Sequence, residues 1–264
     1  MAAECSACPY VQTKQLVDVR GERWAAYRGD SMMVLRDLSA RHPQSVDAII
    51  TDPPYGTGAN SVAGRLASPL VKYRSSGVKS GLPSFAGDSM PPDAWAEMMN
   101  QVMNLCLAVA KPGASALVFC DWRGFPTLMR IMGAVGWGLR GCLVWDKGRS
   151  TRPSKNGFRA QSELIIWARN GGAPYRDPPV YLDGVFRHPT PPRRHHAVEK
   201  PLGLMRDLVQ ICPTGGTVLD PFQGSGTTGV AALMAGMRYI GIEAVEHYHR
   251  TACQRLAQAE EDAS

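Results

Sequence analysis

The chain has 264 residues, 44% of them hydrophobic, and its 29 basic and 23 acidic residues give a formal net charge of +6. That length and apolar content suit one large α/β domain with a full core. No apolar run approaches the roughly 20 residues of a membrane span, and the start lacks the basic and apolar regions of a signal peptide, so we expect a cytoplasmic protein with no membrane partner.

The N-terminal part of the chain predicts a tail followed by a strand, a helix and a strand. We expect residues 1–23 to form the tail. Its Cys5 and Cys8 have a metal-like spacing but no second pair, so no metal is expected. Apolar periodicity then predicts strands over Trp24–Arg28 and Val46–Thr51, with a helix over Met32–Ser39 between them.

A long segment rich in Gly, Ser and Pro follows, over residues 56–90. A loop of this length inside a compact domain is usually functional or disordered. It carries four basic residues, which are Arg65, Lys72, Arg74 and Lys79. Pro91-Pro92-Asp93 then begins a helix, and its helically spaced apolar stripe is assigned to the core: Trp95, Met98, Met99, Val102, Cys106 and Val109.

The rest of the chain alternates between short apolar runs and helical periodicity. Strands are predicted at Ala116–Cys120, Cys142–Trp145, Leu164–Trp167, Thr217–Leu219 and Tyr239–Ile242. Helices are predicted at Phe125–Val135, Leu202–Ile211, Thr227–Ala235 and Glu246–Ala259. Cysteines and tryptophans in or beside the apolar runs are assigned to the core: Cys106, Cys120, Cys142, Trp122, Trp137, Trp145 and Trp167.

Seven predicted strands with interleaved helices indicate a doubly wound, mostly parallel α/β sheet in a single domain over residues 24–264. The charge on this domain is uneven. Residues 149–200 hold ten basic and four acidic residues, 10 − 4 = +6, which equals the excess of the whole chain. A basic segment rich in proline and glycine suits a polyanion such as nucleic acid, although an ordinary solvated loop would also fit.

The second predicted strand ends in an unusual tetrapeptide, Asp52-Pro53-Pro54-Tyr55. An apolar run stops at a carboxylate, two prolines remove two backbone donors, and an aromatic ring follows. Alone, the tetrapeptide also fits a type I turn that starts at a strand-end aspartate.

A glycine-rich turn stands near the C-terminus, where Gly224, Gly226 and Gly229 have the GxGxxG spacing of a dinucleotide site and Glu243 ends the next predicted strand. A nicotinamide- or flavin-dependent oxidoreductase is therefore one interpretation. Too little chain follows the turn for the second half of a dinucleotide fold. Asp220 at the strand tip would also repel a pyrophosphate, but it would suit a ligand that carries an ammonium and a sulfonium.

Together, the segments 52–55 and 220–228 resemble the amino-group DNA methyltransferases of bacteria and phages, which modify adenine N6 or cytosine N4. The catalytic motif precedes the cofactor motif, as in the permuted β class of that family. Further matches are Tyr27-Arg28-Gly29-Asp30-Ser31, the H-x-x-x-K-P motif over 196–201, and Tyr239-Ile240-Gly241-Ile242-Glu243. The resemblance covers roughly residues 24–258 and places the target recognition region at about 149–195.

The resemblance implies S-adenosylmethionine as cofactor, double-stranded DNA as partner and base flipping before transfer. An exocyclic amine is a poor nucleophile, and we expect the Asp52 carboxylate and the Pro53 carbonyl, held rigid by Pro53 and Pro54, to accept its hydrogen bonds while Tyr55 stacks on the base. Cofactor contacts are expected from Asp30, Asp52, His196, Lys200, Pro201, Asp220, Phe222, Gly224, Ser225, Gly226, Thr227 and Glu243. DNA contacts are expected from Arg65, Lys72, Arg74, Lys79, Arg149, Arg152, Lys155, Arg159, Arg193 and Arg194.

Within the resembled family, Asp rather than Ser before Pro-Pro-Tyr favours adenine N6, and cytosine N4 is the near alternative. A catalytically inactive DNA-binding module and the oxidoreductase stand as the more distant interpretations. A homodimer is one assembly consistent with the sequence.

Overall fold

A computed structural model describes residues 17–55, 90–151, 153, 155–172, 179–190 and 199–263. These residues form one nine-stranded sheet. The strands are β1 Val17–Arg20, β2 Trp24–Arg28, β3 Val46–Thr51, β4 Ala110–Cys120, β5 Gly138–Asp146, β6 Ser162–Arg169, β7 Val185–Arg187, β8 Thr217–Asp220 and β9 Arg238–Glu243. The α-helices are α1 Ser31–Arg41, α2 Pro92–Val109, α3 Phe125–Val135, α4 Leu202–Val209, α5 Thr227–Met234 and α6 Glu246–Asp262.

The centre of the sheet is parallel, with strands in the order β2-β9-β8-β3-β4. β6 runs antiparallel between β4 and β5, so its first residues lie beside the last residues of its neighbours. Cys120 of β4 pairs with Leu164, and Trp145 of β5 pairs with Glu163. The start of β6 and the ends of the parallel strands therefore share one edge of the sheet.

Successive side chains of the central strands point to opposite faces of the sheet. They therefore contribute to two hydrophobic clusters, one on each face. Ile49 and Val118 belong to a cluster with the buried sides of α1, α2 and α3. Ile50 and Phe119 belong to a second cluster with α4, α5 and α6. Helices thus cover both faces, which confirms the predicted doubly wound α/β architecture.

Local chemistry fixes the two helix starts that border this edge. The Asp30 side chain caps α1 by accepting hydrogen bonds from the backbone amides of Met32 and Met33, at 2.9 and 3.2 Å. Gly226, the residue before α5, has a φ of 80° and lies so close to α6 that an added Cβ would come within 3.0 Å of the Cβ of Ala252. Glycine is needed there for both reasons.

Several sequence predictions need correction. Over the described residues the sheet has nine strands rather than seven, because β1 lies in the predicted tail and β7 in the predicted target recognition region. Both are short edge strands without the length or periodicity that signals a strand. Trp122, with 69% of its surface exposed, and the exposed Cys142 are not core residues. No described helix is both long and apolar enough to cross a membrane.

Candidate active site

A cavity of about 950 Å³ opens at the edge where the central strands end. Its wall includes one acidic residue from each of five segments, namely Asp30, Asp52, Asp121, Asp220 and Glu243. These residues follow or end strands that are far apart in the chain. Open α/β sheets bind ligands at this edge, so the cavity is the candidate active site.

The segment after β3 forms one side of the cavity. The indole nitrogen of Trp95 donates to the Pro54 carbonyl at 2.5 Å, which ties the segment to α2. The Tyr55 hydroxyl donates back to Asp52 Oδ1 at 2.6 Å. Among the described residues, none donates a hydrogen bond to the Pro53 carbonyl, so that oxygen keeps its capacity to accept one.

Asp52 is part of a half-buried group of ionisable side chains that we call the Asp52 cluster: Asp52, Tyr55, Lys147, Glu163 and Lys200. The Lys200 ammonium donates to Asp52 Oδ2 at 2.5 Å and to Glu163 Oε1 at 2.8 Å. Glu163 also accepts from the Tyr55 hydroxyl at 2.5 Å and from Lys147 at 2.6 Å. Every member is therefore held by at least one other.

The two carboxylates of this cluster differ in their electrostatic surroundings. Burial, together with the nearby Glu163 charge, raises the pKa of Asp52 above its ordinary value, although Lys200 acts in the opposite direction. Burial also acts to raise the pKa of Glu163, but Lys200 and Lys147 outweigh it and lower that pKa to about 2. Burial and the two carboxylates raise the pKa of Tyr55 well above its ordinary value. Asp52 is thus the more readily protonated acid.

Asp220 ends β8 on the other side of the cavity. Its carboxylate accepts from the hydroxyls of Thr51 and Thr228, both at 2.7 Å, and from the backbone amide of Phe222 at 3.1 Å. Burial raises the pKa of Asp220 to about 6 despite these bonds. The carboxylate joins β3, β8 and α5 around the glycine-rich turn.

Glu243 ends β9 and faces the same turn. It accepts from the backbone amides of Gly224 at 3.0 Å and Val245 at 2.8 Å. Burial is the main cause that raises its pKa to about 7. Neither this carboxylate nor Asp220 forms an ion pair with a described residue.

A further ion pair supports the N-terminus of α5. Arg255 pairs with Glu199 at 3.1 Å and donates to the Ser225 carbonyl at 2.8 Å. Thr227 donates to the same Glu199 at 3.2 Å. Because Glu199 is adjacent to Lys200 in the chain, this contact links the segment that carries Lys200 to the glycine-rich turn.

The structure brings together most of the residues predicted for catalysis and cofactor binding. The cavity is lined by Asp30, Asp52, Pro53, Pro54, Tyr55, Lys200, Asp220, Phe222, Gly224, Ser225, Thr227 and Glu243. Pro201 and Gly226 are buried and immediately precede α4 and α5. His196 lies outside the described residues.

Glu163 and Lys147 are cavity residues that the sequence prediction missed. The only signal for Glu163 was an acid at the start of an otherwise apolar run, Ser162-Glu163-Leu164. Burial of an acid in that position costs free energy unless the acid is paired. That cost could have been used to predict that Glu163 has a charged partner. Lys147 followed a predicted strand end and carried no motif.

The predicted DNA-contacting residues are only partly described. Arg149 and Lys155 are exposed, and Arg149 directly precedes Ser150 and Thr151, which line the cavity. The Arg159 guanidinium instead donates to the Thr151 and Arg149 carbonyls and braces its own loop. Arg65, Lys72, Arg74, Lys79, Arg152, Arg193 and Arg194 lie outside the described residues.

Comparison with known proteins identifies relatives of one kind. Residues 46–254 match the model of a protein family described as DNA methylase. The chain is 31% identical over 231 residues to YubD of Escherichia coli (strain K12), whose name describes it as a methylase, and the match covers 87% of this chain and 88% of that protein. It is 27% identical over 244 residues to the type II methyltransferase M2.DpnII of Streptococcus pneumoniae, covering 83% and 85%.

Solved structures share the fold. The complex of M1.HpyAVI with SAM superposes with a TM-score of 0.65 at 23% identity and covers 88% of this chain and 98% of that one. The cytosine-N4-specific PvuII DNA methyltransferase superposes with a TM-score of 0.65 at 14% identity and covers 95% of both chains. At these identities the likeness concerns the fold.

Proposed function

This chain belongs to the DNA methylase family, and from that premise we propose that it transfers a methyl group from S-adenosylmethionine to adenine N6 in duplex DNA. The observation that carries the proposal is the convergence of Asp52 and Tyr55 with Asp220 and Glu243 on one cavity. Family membership also shows that the oxidoreductase interpretation was wrong.

The chemistry of the cavity fits S-adenosylmethionine. Asp220 and Glu243 are carboxylates that burial makes reluctant to ionise, and their described partners are hydroxyls and backbone amides. A ligand that carries an ammonium and a sulfonium would supply the missing positive charge. Backbone N–H groups at the start of α5 suit the ligand's own carboxylate. Asp30, Phe222, Gly224, Ser225 and Thr227 complete the wall that would hold it.

When bound, S-adenosylmethionine supplies a methyl group on a positively charged sulfur. The residues of the chain would direct the amine nitrogen of the target base at that carbon, so that the carbon–nitrogen bond forms as the carbon–sulfur bond breaks, a neutral thioether leaves and the nitrogen releases one proton to solvent. Asp52 and the Pro53 carbonyl would accept the two N–H hydrogens of the amine and draw the nitrogen towards tetrahedral geometry. The contact of Trp95 with Pro54 keeps both acceptors in place before the base arrives, so most of the gain comes from preorganisation.

The target base must leave the duplex to reach Asp52. Tyr55 lines the cavity next to Asp52, and we propose that its ring stacks on the flipped base. Its hydroxyl is fixed by Asp52 and Glu163, which would hold the ring in one orientation.

Direct analysis of methylated nucleosides tests the choice of base. Incubation with S-adenosylmethionine and mixed-sequence duplex DNA should yield N6-methyladenine after digestion and mass spectrometry. A product that is N4-methylcytosine would support the near alternative. If neither nucleoside forms with any duplex, the chain is a DNA-binding module without this activity.

Cofactor binding should depend on the ionisation of Glu243. Because its pKa is raised to about 7, the fraction in the carboxylate form increases as pH rises from 6 to 8. We expect affinity for S-adenosylmethionine to rise over the same interval, since an ionised Glu243 accepts hydrogen bonds more strongly. Glu243→Gln should bind more weakly and lose this component of the pH dependence. Calorimetry with both proteins cancels the ligand's own titration, and parallel pH profiles would contradict the expectation.

DNA binding should depend on the exposed basic residues Arg149 and Lys155. We expect Arg149→Ala and Lys155→Ala each to lower DNA affinity and to reduce the slope of log affinity against log salt by roughly one for each phosphate that is no longer neutralised. Cofactor affinity should not change. Arg238, exposed at the start of β9 and hence at the opposite edge of the sheet, provides the control Arg238→Ala. Equal salt slopes in the wild type and the three variants would show that DNA contacts a different surface of the protein.

A further inference from the structure

We propose that Glu163 is a positioning residue for methyl transfer, whose negative charge holds the Lys200 ammonium and the Tyr55 hydroxyl in place around Asp52. The inference rests on the proposed function. It assigns a role to a residue that no motif identified and that reaches the site only because β6 runs antiparallel to its neighbours.

The contacts show that Glu163 organises the cluster. Its carboxylate receives three donors, from Lys200 at 2.8 Å, Lys147 at 2.6 Å and Tyr55 at 2.5 Å. Lys200 and Glu163 have side chains that are only 9% and 10% exposed. A buried ammonium group is costly unless nearby negative charge compensates it. For Lys200, two carboxylates supply that negative charge. Without Glu163, Lys200 would have Asp52 as its one remaining carboxylate partner in the cluster.

The Tyr55 hydroxyl links the two carboxyl groups of the cluster. A phenol has one hydrogen to donate, yet the Tyr55 oxygen lies 2.6 Å from Asp52 and 2.5 Å from Glu163. That hydrogen can be donated to only one of the two carboxyl groups at a time, so Asp52 and Glu163 compete for it. Glu163 faces the two ammonium groups of Lys147 and Lys200 whereas Asp52 faces only that of Lys200, so Asp52 is the acid that protonates more readily. The higher pKa of Asp52 agrees with this assignment.

This arrangement has a consequence for the reaction. A protonated Asp52 cannot accept from both Lys200 and the target amine as a carboxylate, so methyl transfer requires the ionised form of Asp52. Among the described residues, the groups that shift the pKa of Asp52 are Lys200 before α4, Glu163 on β6 and Tyr55 in its own segment. Asp220 on β8 and the thiol of Cys120 on β4 also face Asp52, whose charge contributes to raising their pKa values. Of these, Glu163 is the negative charge that repels the Asp52 carboxylate most strongly.

The test compares the pH dependence of methyl transfer in wild type and Glu163→Gln. The amide removes the repulsion and leaves Lys200 to Asp52 alone, so the acidic limb of the kcat profile should move to lower pH. Misplacement of Lys200 and Tyr55 should lower the maximal rate on the order of 10–100-fold. Glu97→Gln, an exposed acid-to-amide change on α2 whose partner is Gln101, should leave both the limb and the rate unchanged.

Glu163→Gln leaves two buried ammonium groups with fewer partners, and it could fail to fold. The double variant Glu163→Gln/Lys147→Gln preserves the net charge of the cluster and should show the same shift of the limb. A reduced rate with an unmoved limb in the folded variant would show a structural role and overturn the proposal, as would a wild-type rate and limb. An inactive wild type would instead refute the proposed function.

Discussion

Asp52→Ala should lower the rate of methyl transfer by at least roughly 10²–10³-fold, the loss typical of removing one preorganised electrostatic partner of a reacting group. The change removes the acceptor for the target amine and leaves the Pro53 carbonyl alone. The fold should survive, because Lys200 keeps its 2.8 Å contact with Glu163. Transfer of a tritiated methyl group to DNA measures the rate, and circular dichroism with a thermal melt checks the fold.

Asp93→Ala is the matched control for this experiment. Asp93 is an exposed aspartate in the first turn of α2, and it does not line the cavity. Its removal should change stability by a few tenths of a kcal/mol through the helix dipole and leave the rate unaffected. Near-normal transfer by a folded Asp52→Ala protein would remove Asp52 from the mechanism.

The sequence was sufficient to predict the central fold and most of the cavity wall. Strands β2, β3, β8 and β9 are short apolar runs that each end in or beside an acidic or glycine-rich motif, and parallel strands bring such ends to one edge. Helix α3 was predicted with the bounds it has, Phe125–Val135. Motifs that combine strong periodicity with unusual turn residues therefore singled out Asp52, Asp220 and Glu243, three acids that the structure brings to one cavity.

The direction of one strand could not be predicted, and it decides the composition of the site. An apolar run such as Leu164–Trp167 is equally compatible with parallel and with antiparallel pairing. If β6 were parallel to β4, Glu163 would lie at the far edge of the sheet, away from Asp52. Its antiparallel pairing with both neighbours brings Glu163 to the cavity.

The exposure of single aromatic residues is the other feature that the sequence pattern does not predict. Trp122 follows the apolar strand β4 and was assigned to the core, yet it is exposed beside the cavity, with the Arg123 guanidinium 4.6 Å from its ring centroid. Periodicity stops being informative at the residue where a strand ends. Tertiary packing, which the pattern does not contain, then decides burial.

Asp220→Asn should weaken S-adenosylmethionine binding by roughly tenfold or more, equivalent to about 1.4 kcal/mol. The amide cannot supply negative charge to a cationic ligand. It also cannot accept from Thr51, Thr228 and the Phe222 amide in the way that the carboxylate does. DNA affinity measured without cofactor should stay the same. Calorimetry that finds wild-type cofactor affinity in this variant and in Glu243→Ala would refute the assignment of the glycine-rich turn to the cofactor.

Stability measurements on the same variant separate the binding role from a folding role. The pKa of Asp220 is about 6 when folded, above its ordinary value of 3.8, so the folded state holds this proton more tightly than the unfolded state. The stability that the group contributes is therefore complete below about pH 4 and is lost as pH rises to about 6. Asp220→Asn lacks this component, so from pH 4 to pH 7 the wild type should lose on the order of 2 kcal/mol relative to the variant. The variant is expected to bind cofactor weakly and to gain stability relative to wild type as pH rises towards neutral. That result would show that Asp220 is a buried acid whose ionised form destabilises the fold but serves to bind the ligand. A constant difference in stability over that interval would show that burial does not raise the pKa of Asp220.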